Sequence, residues 1–324
     1  MIRTIHVSRL LVLVAATAAV ILPFRPENAR SAQSQTLAQD STRPQDSSTA
    51  APKGIDTVTI EGQRQVKRQI DSFVYGAAVT YMNDSLMRWD TPICPIVAGL
   101  PSSQGEFILA RLSQVAQDVH VKLAGEHCKE PNLLVVVSDQ PDTIARHWAE
   151  HDKTRLGSCN GLDYRKDFLN SQRPVRVFYN GKFRGQDGEA GPEISDYSVI
   201  GLNLDFRFGP CSRPGGVAIG TRLRYGAIQE MESVIMLVDG RRANELNIGQ
   251  LADYITLVAL AQIRPDPNTG TAPTILTVFD REAPQLQGMS IWDQSYLRGL
   301  YGTKQSSVIQ TSLIKASMFD QLRR

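Results

Sequence analysis

The sequence predicts an α+β protein, or an α/β protein with a mixed sheet, built as a single domain of helices packed on that sheet. Three stretches carry this prediction. Asn247 to Ile263, NIGQLADYITLVALAQI, sets Ile248, Leu251, Ile255, Val258, Ala259 and Ile263 on one face of a 3.6-residue period. Leu257, Leu260 and Ala261 cover much of the other face, so this helix is expected to be buried on most sides. Asn132 to Ser138, NLLVVVS, is a valine-rich run that suits a strand covered on both faces, and Ser233 to Val238, SVIMLV, reads as a second strand. Helical and strand patterns alternate irregularly between them.

The chain has 324 residues, enough for one large domain or two small ones, and its 42% hydrophobic content suffices for a sizeable core. Charge is nearly balanced, with 35 Lys+Arg against 33 Asp+Glu. That argues against nucleic acid as a partner, as do sparse aromatics that are not interleaved with basic runs.

Residues 1–31 read as a signal peptide. Arg3 and Arg9 precede the apolar run Leu10 to Leu22, Pro23 ends it, and Ala29 and Ser31 supply small residues for cleavage near Ser31. The run is shorter than the roughly 20 helical residues that span a bilayer, so no stable transmembrane span remains after cleavage. The mature protein is therefore expected in the periplasm or secreted. Residues 32–54 are Ser, Thr, Gln, Ala and Pro with few large apolar side chains, a disordered polar linker. The domain is expected to occupy 55–324.

Within it, Ile55 to Gln65 alternates with period two and is closed by Gly62, which predicts a strand. Arg64 to Met82 predicts a helix with Val66, Ile70, Phe73, Val74 and Ala77 on one face. Residues 83–103 read as irregular. Gln104 to His120 is a second helix, and Asp139 to Asp142 starts another that runs to about His151. Pro174 to Tyr179 is a strand, followed by a Gly- and Asp-rich loop over 180–196. Gly216 to Leu223 is one more strand, and Asp239-Gly240 is a turn signal. Asn247 and Gln250 cap the central helix, and Pro265 stops it. A short apolar run, Thr274 to Phe279, leads to two final helices, Ile291 to Tyr301 and Ser306 to Leu322.

Four cysteines in an exported chain predict disulfides. Three connectivities exist. The pairs Cys94–Cys128 and Cys159–Cys211 are favoured because each flanks predicted loops around a compact segment. No C-x-x-C spacing points to metal.

The sharpest chemical motif is His147-Trp148-Ala149-Glu150-His151. On a helix the two histidines face the same way and offer two imidazoles to one zinc, with Glu150 beside them as a general base. It resembles the inverted zinc-peptidase signature, H-x-x-E-H. A third ligand would come from a carboxylate, His120 or His127. Asp253 and Thr256 are the polar interruptions of the central helix beyond its first turn, one helical step apart on one face, and are candidate binding residues. The alternative for Asp253 is structural, capping a neighbouring loop or pairing with an arginine, because a buried carboxylate needs partners. There is no G-x-S-x-G elbow and no phosphate loop after a strand.

Three resemblances bear on these residues. Asp56 to Ile60 resembles the TonB box of outer-membrane receptors, which implies strand addition to a periplasmic or envelope partner through 55–65. The central helix, Met289, and the later segment Asp293-Gln294-Ser295-Tyr296-Leu297-Arg298-Gly299-Leu300-Tyr301-Gly302 are similar to the plan of metzincin-type zinc peptidases. Carried over by position, the H-E-x-x-H of those enzymes becomes Ala252-Asp253-Tyr254-Ile255-Thr256, which implies a zincin-like domain without metal or activity at that helix. The signal peptide, the V-T-I-E-G-Q-R segment, Cys94 to Leu100 and Leu251 to Gln262 resemble exported Gram-negative bacterial proteins of uncharacterised function, which supplies no activity. The sequence thus points to a non-catalytic exported binding domain without a cofactor. Its alternative is a zinc-dependent hydrolase using the His147/Glu150/His151 face.

Overall fold

The structure is a computed structural model that describes residues 54–79, 86–125, 128–151, 156, 162–185, 227–305 and 309–323. The fold is α+β. Helix α1 (Gly54–Ala77) is followed by β1 (Pro95–Ala98), α2 (Ser102–Asp118), β2 (Leu133–Ser138), α3 (Pro141–His151) and α4 (Leu162–Asn170). Then come β3 (Val175–Gly185), β4 (Ala227–Asp239), the short α5 (Gly240–Ala243), α6 (Ile248–Leu260), a 3-10 turn over Ile275–Thr277, α7 (Ile291–Gly302) and α8 (Gln310–Leu322).

The sheet is mixed, in the order β1-β2-β4-β3. β1 and β4 run parallel to β2, and β3 runs antiparallel to β4. Alternation along the strands divides the core. Leu133, Val135 and Val137 of β2, with Val234, Met236 and Val238 of β4, face the large cluster built with α1, α2, α6, α7 and α8. Ile235 and Leu237 face the other way, where Ala145 of α3 and Phe168 of α4 cover them together with Phe178 of β3. Leu134 and Val136 pack partly buried on that side, so both faces of β2 are covered.

Several expectations change here. Ile55 to Gln65 lies in α1 and is not a strand. Ile55, Val58, Gly62 and Val66 also fit helical spacing, and the buried stripe of Ile70, Phe73, Val74 and Ala77 extends that period backwards. Strand addition through 55–65 requires an extended segment, and this one is helical. The helix ends at Ala77, before the expected Met82, where Ala78 bridges Ile263. A Cβ on Gly76 would sit 1.6 Å from Asn268 O, so only glycine admits that close approach. The irregular 83–103 stretch contains β1, and α4 has no expected counterpart. β3 continues through the expected loop to Gly185, with a register shift at Asn180/Gly181. The signal peptide, most of the linker, the 216–223 strand and the Cys159–Cys211 pair lie outside the described residues. Among the described residues, no helix is long and apolar enough to cross a membrane.

Candidate functional site

Helix α6 passes through the middle of the large cluster, and all but three of its thirteen residues are buried. Its start is set by a capping box. The Asn247 side chain accepts from Gln250 N at 2.9 Å, and the Gln250 side chain accepts from Asn247 N at 3.0 Å.

Asp253 is buried, and each carboxylate oxygen has a defined partner. Arg111 of α2 donates its Nε–H to Oδ1. Met289 donates its backbone N–H to Oδ2 at 2.6 Å. A Cβ on Gly288 would lie 2.6 Å from the same oxygen, so the chain turns beside the carboxylate at a residue without a side chain. The carboxylate thus ties α6 to α2 and to the segment that enters α7, doing both things the structural alternative requires. Ala252 is fully buried and cannot ligate. Thr256 is fully buried, and its hydroxyl has no hydrogen-bond partner among the described residues. Neither candidate binding residue reaches the surface. Because the Thr256 hydroxyl is desolvated without a partner, Thr256→Val should be neutral or stabilise by up to about 1 kcal/mol in urea unfolding. A loss above about 1 kcal/mol would mean that the hydroxyl has a partner.

The far end of α6 is closed by aromatic side chains. Trp89 donates Nε1–H to Ala259 O at 2.8 Å. Tyr301 donates to Leu260 O at 2.6 Å. The Tyr179 hydroxyl lies 3.0 Å from Val258 O and 3.2 Å from Ala261 O, and accepts from Ile263 N at 3.2 Å. These carbonyls have no partner within a helix that ends here, and burial denies them water. Trp89→Phe keeps an aromatic ring but removes the indole N–H and part of its buried volume, leaving Ala259 O unpaired, so a loss of about 2 kcal/mol or more is expected in chemical denaturation. Burial also pushes the Tyr301 hydroxyl above its ordinary value, which keeps it protonated as a donor.

A second buried carboxylate, Asp293, organises the start of α7. It accepts from Thr274 Oγ1 at 2.5 Å, Ile275 N at 2.9 Å and Ser290 N at 2.8 Å. The apolar run 274–279 is therefore held as a turn on α7 and adds no strand to the sheet.

The H-x-x-E-H residues are elsewhere, on α3. His147, Glu150 and His151 are all exposed. The two imidazoles stack with centroids 4.6 Å apart. His151 Nδ1 lies 3.2 Å from His147 O. Among the described residues no group of three His, Cys, Asp or Glu is placed to hold a metal ion. His120 is exposed in the turn after α2, and His127 lies outside the described residues.

One cleft runs beside β3, between Phe168, Val177 and Arg173 on one side and Tyr254, Val258 and Arg264 on the other. Its volume of about 40 Å³ holds a few waters and falls far short of the roughly 300 Å³ of a small-molecule site. Arg173 there clamps Asp266 with two bonds of 2.7 Å and Asp167 with bonds of 2.8 and 3.2 Å.

Such pairs set the acid response. The bonds from Arg173 hold the Asp266 carboxyl below its ordinary value, and those from Arg241 do the same to Asp239. A lowered folded pKa means the stabilisation is complete above the unfolded value of 3.8 and is lost as pH falls through the folded one. Asp293 runs the other way, because burial pushes its carboxyl up. Its share is present below 3.8 and is lost as pH rises through the raised value. The Asp266 side chain is 79% exposed, so its effect is small. Melting curves of wild type and Asp266→Asn should differ slightly at neutral pH and converge only as pH falls below 3.8 and through the lowered folded value. A gap that persists in acid would break this account.

No protein-family model, curated protein or solved structure matches this chain. Arg111, Gly288 and Met289 form the Asp253 site together with α6, and no local pattern marks Arg111, which lies 142 residues before its partner.

Proposed function

We propose that this chain is an exported domain of the periplasm or cell envelope with a non-catalytic binding role. The observation that carries the reading is the engagement of Asp253. The one carboxylate of the central helix is held by Arg111 and Met289 N–H. It is buried, and neither oxygen is presented to a substrate. The flanking positions, Ala252 and Thr256, supply no metal ligand of note. Under the zincin resemblance this is a helix whose metal chemistry has been replaced by structural bonds. The signal peptide expected over residues 1–31 supports export from the cytoplasm.

The test combines localisation, activity and capture. Intact mass of the exported protein should correspond to a chain that starts near Ser31. Tag-free protein should lack peptidase activity, and photo-crosslinkers on exposed positions of α1 and α8 should yield one discrete adduct in cells. Hydrolysis that Asp253→Asn abolishes while the fold is retained would overturn the proposal.

A further inference from the structure

The H-x-x-E-H motif of α3 is not absorbed by this reading, and its geometry supports a site of its own. We propose that His147 and His151 form an open two-histidine chelate for a divalent transition-metal ion, copper(II) ahead of zinc(II). The inference stands on α3 alone and is independent of the reading of α6. A copper-binding protein without a partner would support one and sink the other.

Four observations converge. The histidines lie one helical step apart and are both exposed, with ring centroids 4.6 Å apart and planes only 23° from parallel. Two nitrogens bound at about 2.0–2.1 Å to one ion lie about 3 Å from each other, within reach of small rotations of exposed rings. The helix beneath them is fixed, because Ala145 is fully buried and Trp148 stacks on Phe168.

The second observation is the tautomer. His151 Nδ1 faces a carbonyl oxygen, His147 O, at 3.2 Å, and a carbonyl only accepts. Nδ1 therefore carries the hydrogen, and in the neutral ring Nε2 keeps its lone pair for an ion. A backbone carbonyl that orients one ring nitrogen while the other ligates is a recurring arrangement at metal sites. Third, the pair lies toward the C-terminal end of α3, the negative end of the helix dipole, which favours a cation. Fourth, Glu150 Oε2 lies 3.9 Å from His151 Nδ1, on the protonated side of the ring, where its negative charge makes the ligating Nε2 more basic.

With no third protein ligand among the described residues, the remaining positions fall to water or to a ligand brought by a partner. Imidazole pairs with open positions suit copper(II) best, because divalent affinities rise to copper and fall again at zinc.

Tag-free full-length protein is titrated with copper(II) and with zinc(II), read by calorimetry and by the copper EPR spectrum. H147Q, H151Q and the double variant are measured beside it. The expected result is one copper per chain with two-nitrogen ligation. Each single variant should weaken binding about tenfold or more, and the double variant should lose that event. Copper should bind more tightly than zinc. Both side chains are exposed, so the variants should melt with the wild type. Unchanged copper affinity and spectrum in the double variant would place the ion elsewhere, at His120 or the amino terminus, and overturn the proposal. So would a wild type that takes up no copper.

Discussion

Asp253→Ala should cost about 3 kcal/mol or more in urea unfolding, a large share of the roughly 5–15 kcal/mol that holds a domain together. Truncation strands two donors at once. Arg111 loses the carboxylate that takes its Nε–H, and Met289 N loses an acceptor 2.6 Å away. Arg111 retains its bond to Gln114 and a side chain 27% exposed, so water recovers part of its loss and the low end of the range for a broken buried pair applies. Asp253→Asn keeps an oxygen for Met289 N but removes the charge, and should cost less. Arg111→Met should cost less than Asp253→Ala, because it leaves the link to Met289. A double-mutant cycle then isolates the pair, with a coupling of about 1–3 kcal/mol expected. If Asp253→Ala unfolds within about 0.5 kcal/mol of wild type, the carboxylate is not structural. Its burial would then need a functional explanation, and the non-catalytic proposal would lose its support.

The same residue shows what the sequence reveals and what it conceals. α6 is legible because every local signal agrees: a capping box at Asn247/Gln250, apolar residues around most of the helix and Pro265 beyond its end. The polar exception, Asp253, is legible as an exception, and its two structural options can be stated in advance. Its partners cannot, since Arg111 lies on another helix and Met289 contributes only a backbone N–H. The aromatic closure of α6 is hidden for the same reason. Trp89, Tyr179 and Tyr301 come from three distant segments, and nothing near them marks a helix end as their target.

The misread elements have local causes. Ile55 to Gly62 satisfies both period two and helical spacing, so its conformation depends on the buried stripe that follows it. β1 is four residues long and opens with Pro95, too short for any period to show. α4, LDYRKDFLN, reads as polar, and among its described side chains only Phe168 is buried. Gly181 suggested a loop after Tyr179, whereas it lies at a register shift within a strand that runs on to Gly185. The histidine pair is the opposite case: the motif and its shared helix face were legible, and only the orientation of His151 Nδ1 toward a carbonyl had to come from the structure.

Removing the Cys94–Cys128 bridge should have an effect of similar size. The disulfide closes a loop of 34 residues between the start of β1 and the turn before β2. In the chain-entropy model a loop of that length contributes about 4 kcal/mol. The native segment has a second clasp. Cys94 N donates to Asn132 Oδ1 at 2.7 Å, Asn132 donates its amide to Pro92 O at 3.1 Å, and Asn132 N reaches Cys94 O at 3.1 Å. These bonds hold β1 in register against β2 without the sulfur bridge, so Cys94→Ser/Cys128→Ser should remain folded but weakened by about 2–4 kcal/mol, with a larger urea m-value as its unfolded chain expands. Adding Asn132→Ala should then cost more than in the oxidised protein, because without the bridge the clasp and the β1–β2 ladder carry the whole constraint. A double serine variant within about 0.5 kcal/mol of wild type would show that the clasp suffices and that the bridge constrains little. The expected loss also ties stability to compartment: a chain that depends on this bridge reaches full stability only where thiols oxidise. Reductant should therefore lower the melting temperature of the wild type toward that of the serine variant and leave the variant unmoved.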